Sequence, residues 1–254
     1  MKTVVCVKQV IGISAFVEFD SAGTDVDPAF MEPELNEADA HAVEEALRLR
    51  EEAGQGEVVI LTAGGEGAEE ALRACLAMGA DRAVRVAVEG SAGHDPLRVA
   101  RALAVAVRAE NADLVLCGVQ SSDAAQQSTG PALASILGLP CVSVVTKVEA
   151  GTAGGGLTLH REFEGGLAEV VEVDGPAVLT VQTGLNEPRY GTFKGKMMAK
   201  KATIDVVDPG DVSPGAQVRR MFVPAAAGGQ TVEMVGGGAA AIAERIVRIV
   251  REAS

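Results

Sequence analysis

Short runs of β-branched and aliphatic residues alternate with longer Ala- and Leu-rich runs whose apolar positions recur at helical spacing. Residues 4–10 read as a first strand. Asn36 stands where a helix reaching about Glu51 needs its cap, and acidic residues fill that helix's first turn, where the dipole favours them. Residues 58–62 form an apolar run ending in Ala63-Gly64-Gly65, and a helix over about 68–78 stops at Gly79. A strand over 83–88 precedes a helix over 96–110, in which Leu97, Ala100, Leu103, Ala104 and Val107 share one face. Residues 114–117 make a short buried strand that runs into the loop 118–128. A helix over about 129–137 and a strand over 142–148 complete the alternation.

Strand–helix–strand order with continuously apolar strands predicts a parallel sheet covered by helices on both faces. The fold class is therefore α/β, a doubly wound parallel sheet of the nucleotide-binding kind, built mainly from residues 1–148. The pattern then changes. Residues 157–163 and 167–173 alternate apolar with polar positions around Glu164-Gly165-Gly166, which predicts an antiparallel hairpin. Residues 177–183 give one more apolar strand. After Pro188 the chain becomes Lys- and Met-rich and reads as a loop over 185–201. Residues 207–217 and 224–229 read as linker, and Ile242, Ile246, Ile249 and Val250 mark a terminal amphipathic helix. The expected division is an α/β domain over 1–206 and a C-terminal linker and helix over 207–254 that lie on a partner chain.

The composition narrows what such a fold can do. At 48% hydrophobic and 22% charged, the chain can fill a large core, and with 3% aromatics and no Trp that core must be aliphatic. No apolar stretch reaches the roughly 18 residues of a membrane span. The N-terminus reads as a strand, with no targeting segment, so the expected compartment is the bacterial cytoplasm. A net charge of −13 argues against a nucleic-acid partner, although Lys194, Lys196, Lys200 and Lys201 form a local basic run. Cys6, Cys75, Cys117 and Cys141 are far apart in apolar contexts and read as buried reduced thiols. Three histidines without metal spacing make a zinc site unexpected.

In an open parallel sheet, ligands bind beyond the carboxyl ends of the strands, where strand order reverses. Four segments end strands or open helices in that way, at 6–9, 36–39, 63–67 and 118–129. The last is dense in hydrogen-bonding side chains and opens a helix with Thr129 near its cap. A phosphate could sit there, on free amides and a favourable dipole; equally, the polar residues could serve only the loop and the cap. No catalytic set emerges, with no nucleophile elbow and no phosphate-binding P-loop. His41, His94 and His160 lack a nucleophile partner and read as packing or surface residues. Arg161 and Glu162 read as a solvated pair or as residues facing a cofactor. Phe193, Met197 and Met198 within the basic run give it the character of a sticky docking surface.

Several of these runs resemble the β subunit of electron transfer flavoproteins. They are Asn36 with residues 42–49, Leu76-Ala77-Met78-Gly79-Ala80-Asp81-Arg82, residues 113–118, and Arg161-Glu162 with Gly165-Gly166-Leu167. The most specific is Leu185-Asn186-Glu187-Pro188-Arg189-Tyr190, followed by Lys196, Met197 and Ala199-Lys200-Lys201. The resemblance covers about residues 1–210. It implies a heterodimer with an α subunit that holds most of the redox FAD. It also implies a nucleotide in this chain, AMP in one-electron shuttles or a second FAD in electron-bifurcating members. Carried over by position, its contacts would be Cys6, Asn36, Glu37, Ala38, Asp39, Ala63, Gly118, Val119, Gln120, Ser121, Ser122, Asp123, Gln126, Gln127, Ser128 and Thr129. The implied docking residues are Tyr190, Phe193, Met197 and Met198, with Glu162 in control of domain motion. Phe193 takes the place of an apolar anchor that is usually leucine. The implied partners are acyl-CoA dehydrogenases of fatty acid oxidation or other flavin dehydrogenases, bound transiently, and a downstream quinone oxidoreductase.

Three departures stand out. Asp123-Ala124-Ala125-Gln126-Gln127-Ser128-Thr129-Gly130 matches neither the usual AMP pattern nor the bifurcating one, so both ligands stay open, with AMP the expectation carried forward. Ile13 and Ala38 replace aromatics that some members place near the α-chain flavin. Glu37 replaces a frequent proline. Two other functions fit the same sheet. A universal-stress-type nucleotide sensor would lack the run over 185–201. An adenylating enzyme would need a pyrophosphate loop where Lys8-Gln9-Val10-Ile11-Gly12 stands.

Overall fold

The computed structural model describes residues 1–12, 18–27, 32–88, 95–151, 156–212, 215–223 and 234–253. These form two compact units, Met1–Met221 and Phe222–Ser254. In the first, the elements run β1 (Lys2–Cys6), β2 (Gln9–Ile11), β3 (Pro33–Leu35), α1 (Glu37–Ala53), β4 (Glu57–Gly64), α2 (Glu69–Met78), β5 (Arg82–Ala87), α3 (Pro96–Glu110) and β6 (Leu114–Gly118). They continue with α4 (Thr129–Leu137), β7 (Cys141–Ala150), β8 (Leu157–Phe163), β9 (Leu167–Val173), β10 (Ala177–Val181), α5 (Phe193–Lys201) and β11 (Asp205–Val207). The expected α/β class and the hairpin over 157–173 are both present.

Among the described residues nine strands form one sheet, in the order β11-β5-β4-β1-β6-β10-β7-β8-β9. Every neighbouring pair from β11 to β7 is parallel, and the hairpin β8–β9 adds two antiparallel strands at the far edge. The central strands are apolar on both faces because both are covered. Val5, Val58, Ile60, Leu116 and Leu179 pack with Ala42, Leu47, Leu72 and Cys75 of α1 and α2. Their neighbours Val4, Cys6, Val59, Leu61, Val115 and Cys117 pack with Ala100, Leu103, Val107 and Leu133 of α3 and α4. Small helix residues let an aliphatic core close without aromatics.

Four local readings change. The run 4–10 is not one strand. β1 ends at Cys6, and β2 leaves the sheet to pair antiparallel with β3. The strand expected over 177–183 stops at Val181 but inserts between β6 and β7. There β7 bulges, with Val144 at φ 61° and its amide given to Thr180 Oγ1 at 3.1 Å. Residues 193–201, expected within a loop, are the helix α5. Thr192 Oγ1 caps its start by accepting from the Gly195 amide, and Arg73 Nη1 donates to Ala199 O at 2.7 Å and Ala202 O at 3.2 Å at its end. Residues 205–207, partly assigned to linker, add β11 to the sheet edge beside β5.

The segment 185–190 is fastened to α1 by groups that a sequence reading places in solvent. Arg189 grips buried Glu44 through Nε at 2.8 Å and Nη2 at 2.9 Å, and Glu51 through Nη1 at 2.6 Å. Asn186 Nδ2 donates to His41 O at 3.0 Å and Glu45 Oε2 at 2.9 Å, and its Oδ1 lies 3.0 Å from His41 Nδ1.

The second unit contains α6 (Ala239–Ala253), whose Ile246, Ile249 and Val250 are exposed. Residues 224–229 lie outside the described residues.

Replacing Arg189 with Leu leaves the Glu44 carboxylate buried without its guanidinium. Urea unfolding is expected to show a loss of about 3 kcal/mol, with the helix content of the folded state unchanged.

Candidate functional site

The chain passes from β1 through α1 to β4 on one side and returns through α3 to β6 on the other. Strand order therefore reverses between β1 and β6, which lie side by side with Cys6 opposite Cys117. With α1 and α3 on opposite faces, the carboxyl ends of these two strands open into a cleft of about 110 Å³. It stands at the position where such a sheet binds ligands.

One side chain spans the two strand ends. Asp39, in the first turn of α1, accepts from the Lys8 amide through Oδ2 and from the Gly118 amide through Oδ1, each at 2.8 Å. Burial pushes its carboxyl up to about 6, and the Lys8 and Gly118 amides and the Asn36 side chain hold it from rising further. Gly118 has no room for a side chain, since a Cβ there would collide with Asp39 Oδ1 and stand 2.8 Å from Ala38 Cβ.

Asn36 occupies the N-cap position of α1 but makes no side-chain cap bond. Its Nδ2 donates to Gln120 O at 2.9 Å and its Oδ1 accepts from the Ser122 amide at 3.2 Å. The expected cap thus ties the 118–128 loop to α1. Lys8 Nζ reaches the same loop, at 2.6 Å from Asp123 Oδ1 and 3.3 Å from Ser121 Oγ. Burial raises the Asp123 carboxyl, but Lys8 and Ser121 outweigh it and hold it below the ordinary range. Gln127 Nε2 donates to Gln120 Oε1 at 2.8 Å, with Ala125 and Gln127 both at positive φ. The cap position of α4 falls on Ser128 rather than Thr129, again without a side-chain bond. The uncapped turn 128–130 lines the cleft, and Pro131 has no amide to add. Gly130 brings α4 against Thr180, where a Cβ would collide with Thr180 Cγ2.

Of the residues expected to hold a nucleotide, Cys6, Asn36, Asp39, Ala63, residues 118–121 and residues 126–129 line this cleft. Glu37, Ala38, Ser122 and Asp123 do not, although Ser122 and Asp123 fix the loop that does. Sequence reasoning missed the wall made by Pro96, Val99 and Leu103 of α3. The helical spacing that includes Leu103 was legible, but not that one end of the helix overhangs the strand ends.

Neither described histidine lines the cleft. His41 is buried against Asn186, His160 Nε2 lies 3.0 Å from Glu149 on the sheet's antiparallel end, and His94 lies outside the described residues, as does Ile13. All four cysteines are free thiols, Cys141 only partly buried. Contact with Cys6, and then burial, raises the Cys117 thiol. Among the described residues no His, Cys, Asp and Glu cluster can hold a metal, and no helix is long and apolar enough to cross a membrane.

The second expected surface is α5. Phe193 is 83% exposed and Tyr190 is 95% exposed, with Met197 and Met198 beside the four lysines. A helix so open is held from below. Gly191 and Gly195 bring its backbone onto the end of α2, where a Cβ at Gly195 would stand 2.6 Å from Ala77 O. Glu162, exposed on β8, is not part of this surface. It stands near the opposite edge of the sheet from β4 and β5, against which α2 packs.

A family model of the electron transfer flavoprotein domain matches residues 31–212. The chain is 37% identical over 263 residues to the electron transfer flavoprotein subunit beta of Methylophilus methylotrophus, covering 99% of this chain and 98% of that one. It is 38% identical to the subunit beta of Bradyrhizobium diazoefficiens, with 89% and 90% covered, and 37% identical to that of Homo sapiens, with 84% and 83% covered. The chain belongs to the electron transfer flavoprotein β-subunit family. The similarity to the Methylophilus subunit takes in the C-terminal unit as well, beyond about residue 210, where the sequence resemblance fades. The most specific run of the family resemblance, 185–190, is the segment that Glu44, Glu45 and Glu51 fasten to α1.

Gly118→Ala is expected to lower stability by about 2 kcal/mol, because the new methyl displaces Asp39 or Ala38. Thermal unfolding beside a Gly65→Ala control, where an added Cβ meets nothing within 4 Å, checks that the loss belongs to the packing at Gly118.

Proposed function

We propose that this chain is the β subunit of a heterodimeric electron transfer flavoprotein, binding AMP in the cleft between β1 and β6 and docking onto dehydrogenases through α5. The observation that carries the nucleotide reading is the cleft itself. It combines an apolar wall from α3, a hydrogen-bonding loop, two glycines that let α1 and α4 close on the strand ends, and an uncapped helix turn. The wall suits a purine ring, and the Thr129 and Gly130 amides with Ser128 suit a phosphate. Lys8 balances the carboxylate of Asp123 at the rim.

FAD, held mainly by the α subunit, supplies the redox chemistry in such a complex. This chain contributes part of the flavin's wall, a structural nucleotide and the docking helix. Phe193 and Met197, one helical turn apart, form the apolar knob, and the lysines favour a partner surface of opposite charge. A small knob suits brief contacts between a carrier and its donors, acyl-CoA or other flavin dehydrogenases, and a downstream quinone oxidoreductase. The C-terminal unit belongs to the heterodimer interface in this reading, since α6 carries an apolar stripe and the segment before it is rich in Gly and Ala. The site of action is the bacterial cytoplasm.

Purification with the α subunit, denaturation and identification of the released nucleotides tests the assignment. One FAD and one AMP per heterodimer are expected. Two FAD would replace the shuttle with an electron-bifurcating complex, and a lone chain without nucleotide would overturn the family function. Phe193→Ala is expected to slow electron transfer from the partner dehydrogenase by roughly tenfold with nucleotide content unchanged. Unchanged transfer rates would remove α5 from docking.

A further inference from the structure

The carboxylate of Asp39 has two acceptor oxygens and no donor, and both oxygens are occupied by backbone amides that no strand pairs. Those amides belong to Lys8 and Gly118, the residues at which β1 and β6 open into the cleft. We infer that Asp39 is a positioning residue of the nucleotide site, setting the spacing of the two strand ends through its ionised form rather than by bonding the nucleotide. The inference rests on the nucleotide reading of the cleft.

The ionised form serves both anchors best. A proton on either oxygen makes it a poorer acceptor and sets an O–H beside an N–H, so one of the two anchors is weakened. Gly118 amplifies the effect, because its backbone lies directly against Asp39 and Ala38 with no side chain between. The loop that carries Gln120 and Ser121 starts at that same residue. Loosening Gly118 therefore moves the cleft's polar wall. Ionisation is costly in this place, since burial lifts the carboxyl to about 6. The groups facing it do little to change that near neutral pH. Lys8, from the end of β1, is shared with Asp123 of the loop. Cys117 of β6 and Cys75 of α2 are raised and stay protonated thiols, Cys6 of β1 lies beside Cys117, and Asn36 on α1 is neutral.

The sign separates positioning from general stability. The folded value lies above the ordinary 3.8, so ionised Asp39 costs the fold stability above about pH 6, and that cost is relieved as pH falls towards 4. Nucleotide binding runs the other way, because it needs both anchors. Over the same pH interval, Asp39 thus favours the fold and weakens the ligand, a combination that simple acid unfolding cannot produce.

The test uses the full chain stripped of nucleotide, with equilibrium dialysis of adenosine, which has no phosphate to titrate near pH 6, and AMP in parallel. Adenosine affinity is expected to fall about fourfold between about pH 7.5 and 5.5, as the ionised fraction of Asp39 falls. Asp39→Asn, which can accept only one of the two amides, is expected to bind weakly at both values with no pH slope. A flat wild-type profile, or an Asp39→Asn variant that binds like wild type, overturns the inference while leaving the nucleotide site intact. If Asp39→Asn does not fold, the wild-type adenosine profile decides alone. A wild-type chain that binds neither adenosine nor AMP at about pH 7.5 removes the nucleotide reading and this inference with it.

Discussion

A buried backbone amide must find an acceptor, and a parallel sheet leaves amides bare wherever its strands end. In this chain the requirement falls on Lys8 and Gly118, at the reversal of strand order, and a single carboxylate on α1 meets both. Much of the cleft follows from that contact. The first turn of α1 has to approach β1 and β6 together, so residue 118 has to be glycine. The chain beyond Gly118 is then directed outwards over the strand ends, where Asn36 and Lys8 tether it. An apolar side chain at position 39 would leave two amides unpaired in the interior, and a hydroxyl would be too short to reach both.

The same helix organises the other end of the molecule. An α-helix rises about 1.5 Å per residue, so Asp39 and Glu51 stand about 18 Å apart on one rigid rod. Its start holds the cleft, and Glu44, Glu45 and Glu51 hold the segment that leads into α5. That is why α1 buries Glu44 and Glu45, which its sequence, read alone, would assign to a solvated face. Each is matched by Asn186 or Arg189 from nearly 150 residues away, a distance at which no local pattern can register.

What could be read from the sequence follows this division between local and remote causes. The helices at Pro96–Glu110 and Thr129–Leu137 and the hairpin over 157–173 fall on the expected residues because periodicity and turn glycines determine them. The cleft was legible too, since strand ends at a reversal are predictable from element order alone. Remote partners decided the rest. Asn36 looked like a helix cap because helix starts favour that residue, yet the loop outbid the helix for its amide. Residues 193–201 looked like a loop because they are Lys-rich and contain Gly195. They form a helix because Gly195 is what allows contact with Ala77, and because Arg73 takes the carbonyls at the far end. The α3 wall of the cleft came from packing, which no spacing rule conveys.

The mount of α5 also bears on how such a surface can work. A nine-residue helix with four lysines is not stable by itself in water, where isolated helices need about 12–15 residues. Thr192 at one end, Arg73 at the other and the close seat on α2 supply the missing stability without covering its outer side. Phe193 and the two methionines are thereby displayed on a preformed support, and little conformational freedom remains to be lost when a partner meets them. The apolar area on show is nonetheless small, and the surrounding lysines are well hydrated. Prepayment of order with little contact area gives fast, oriented encounters that do not persist. In the docking role proposed for α5, such a surface suits a carrier that must hand on electrons and leave, and its rigidity comes from beneath the helix rather than from the contact itself.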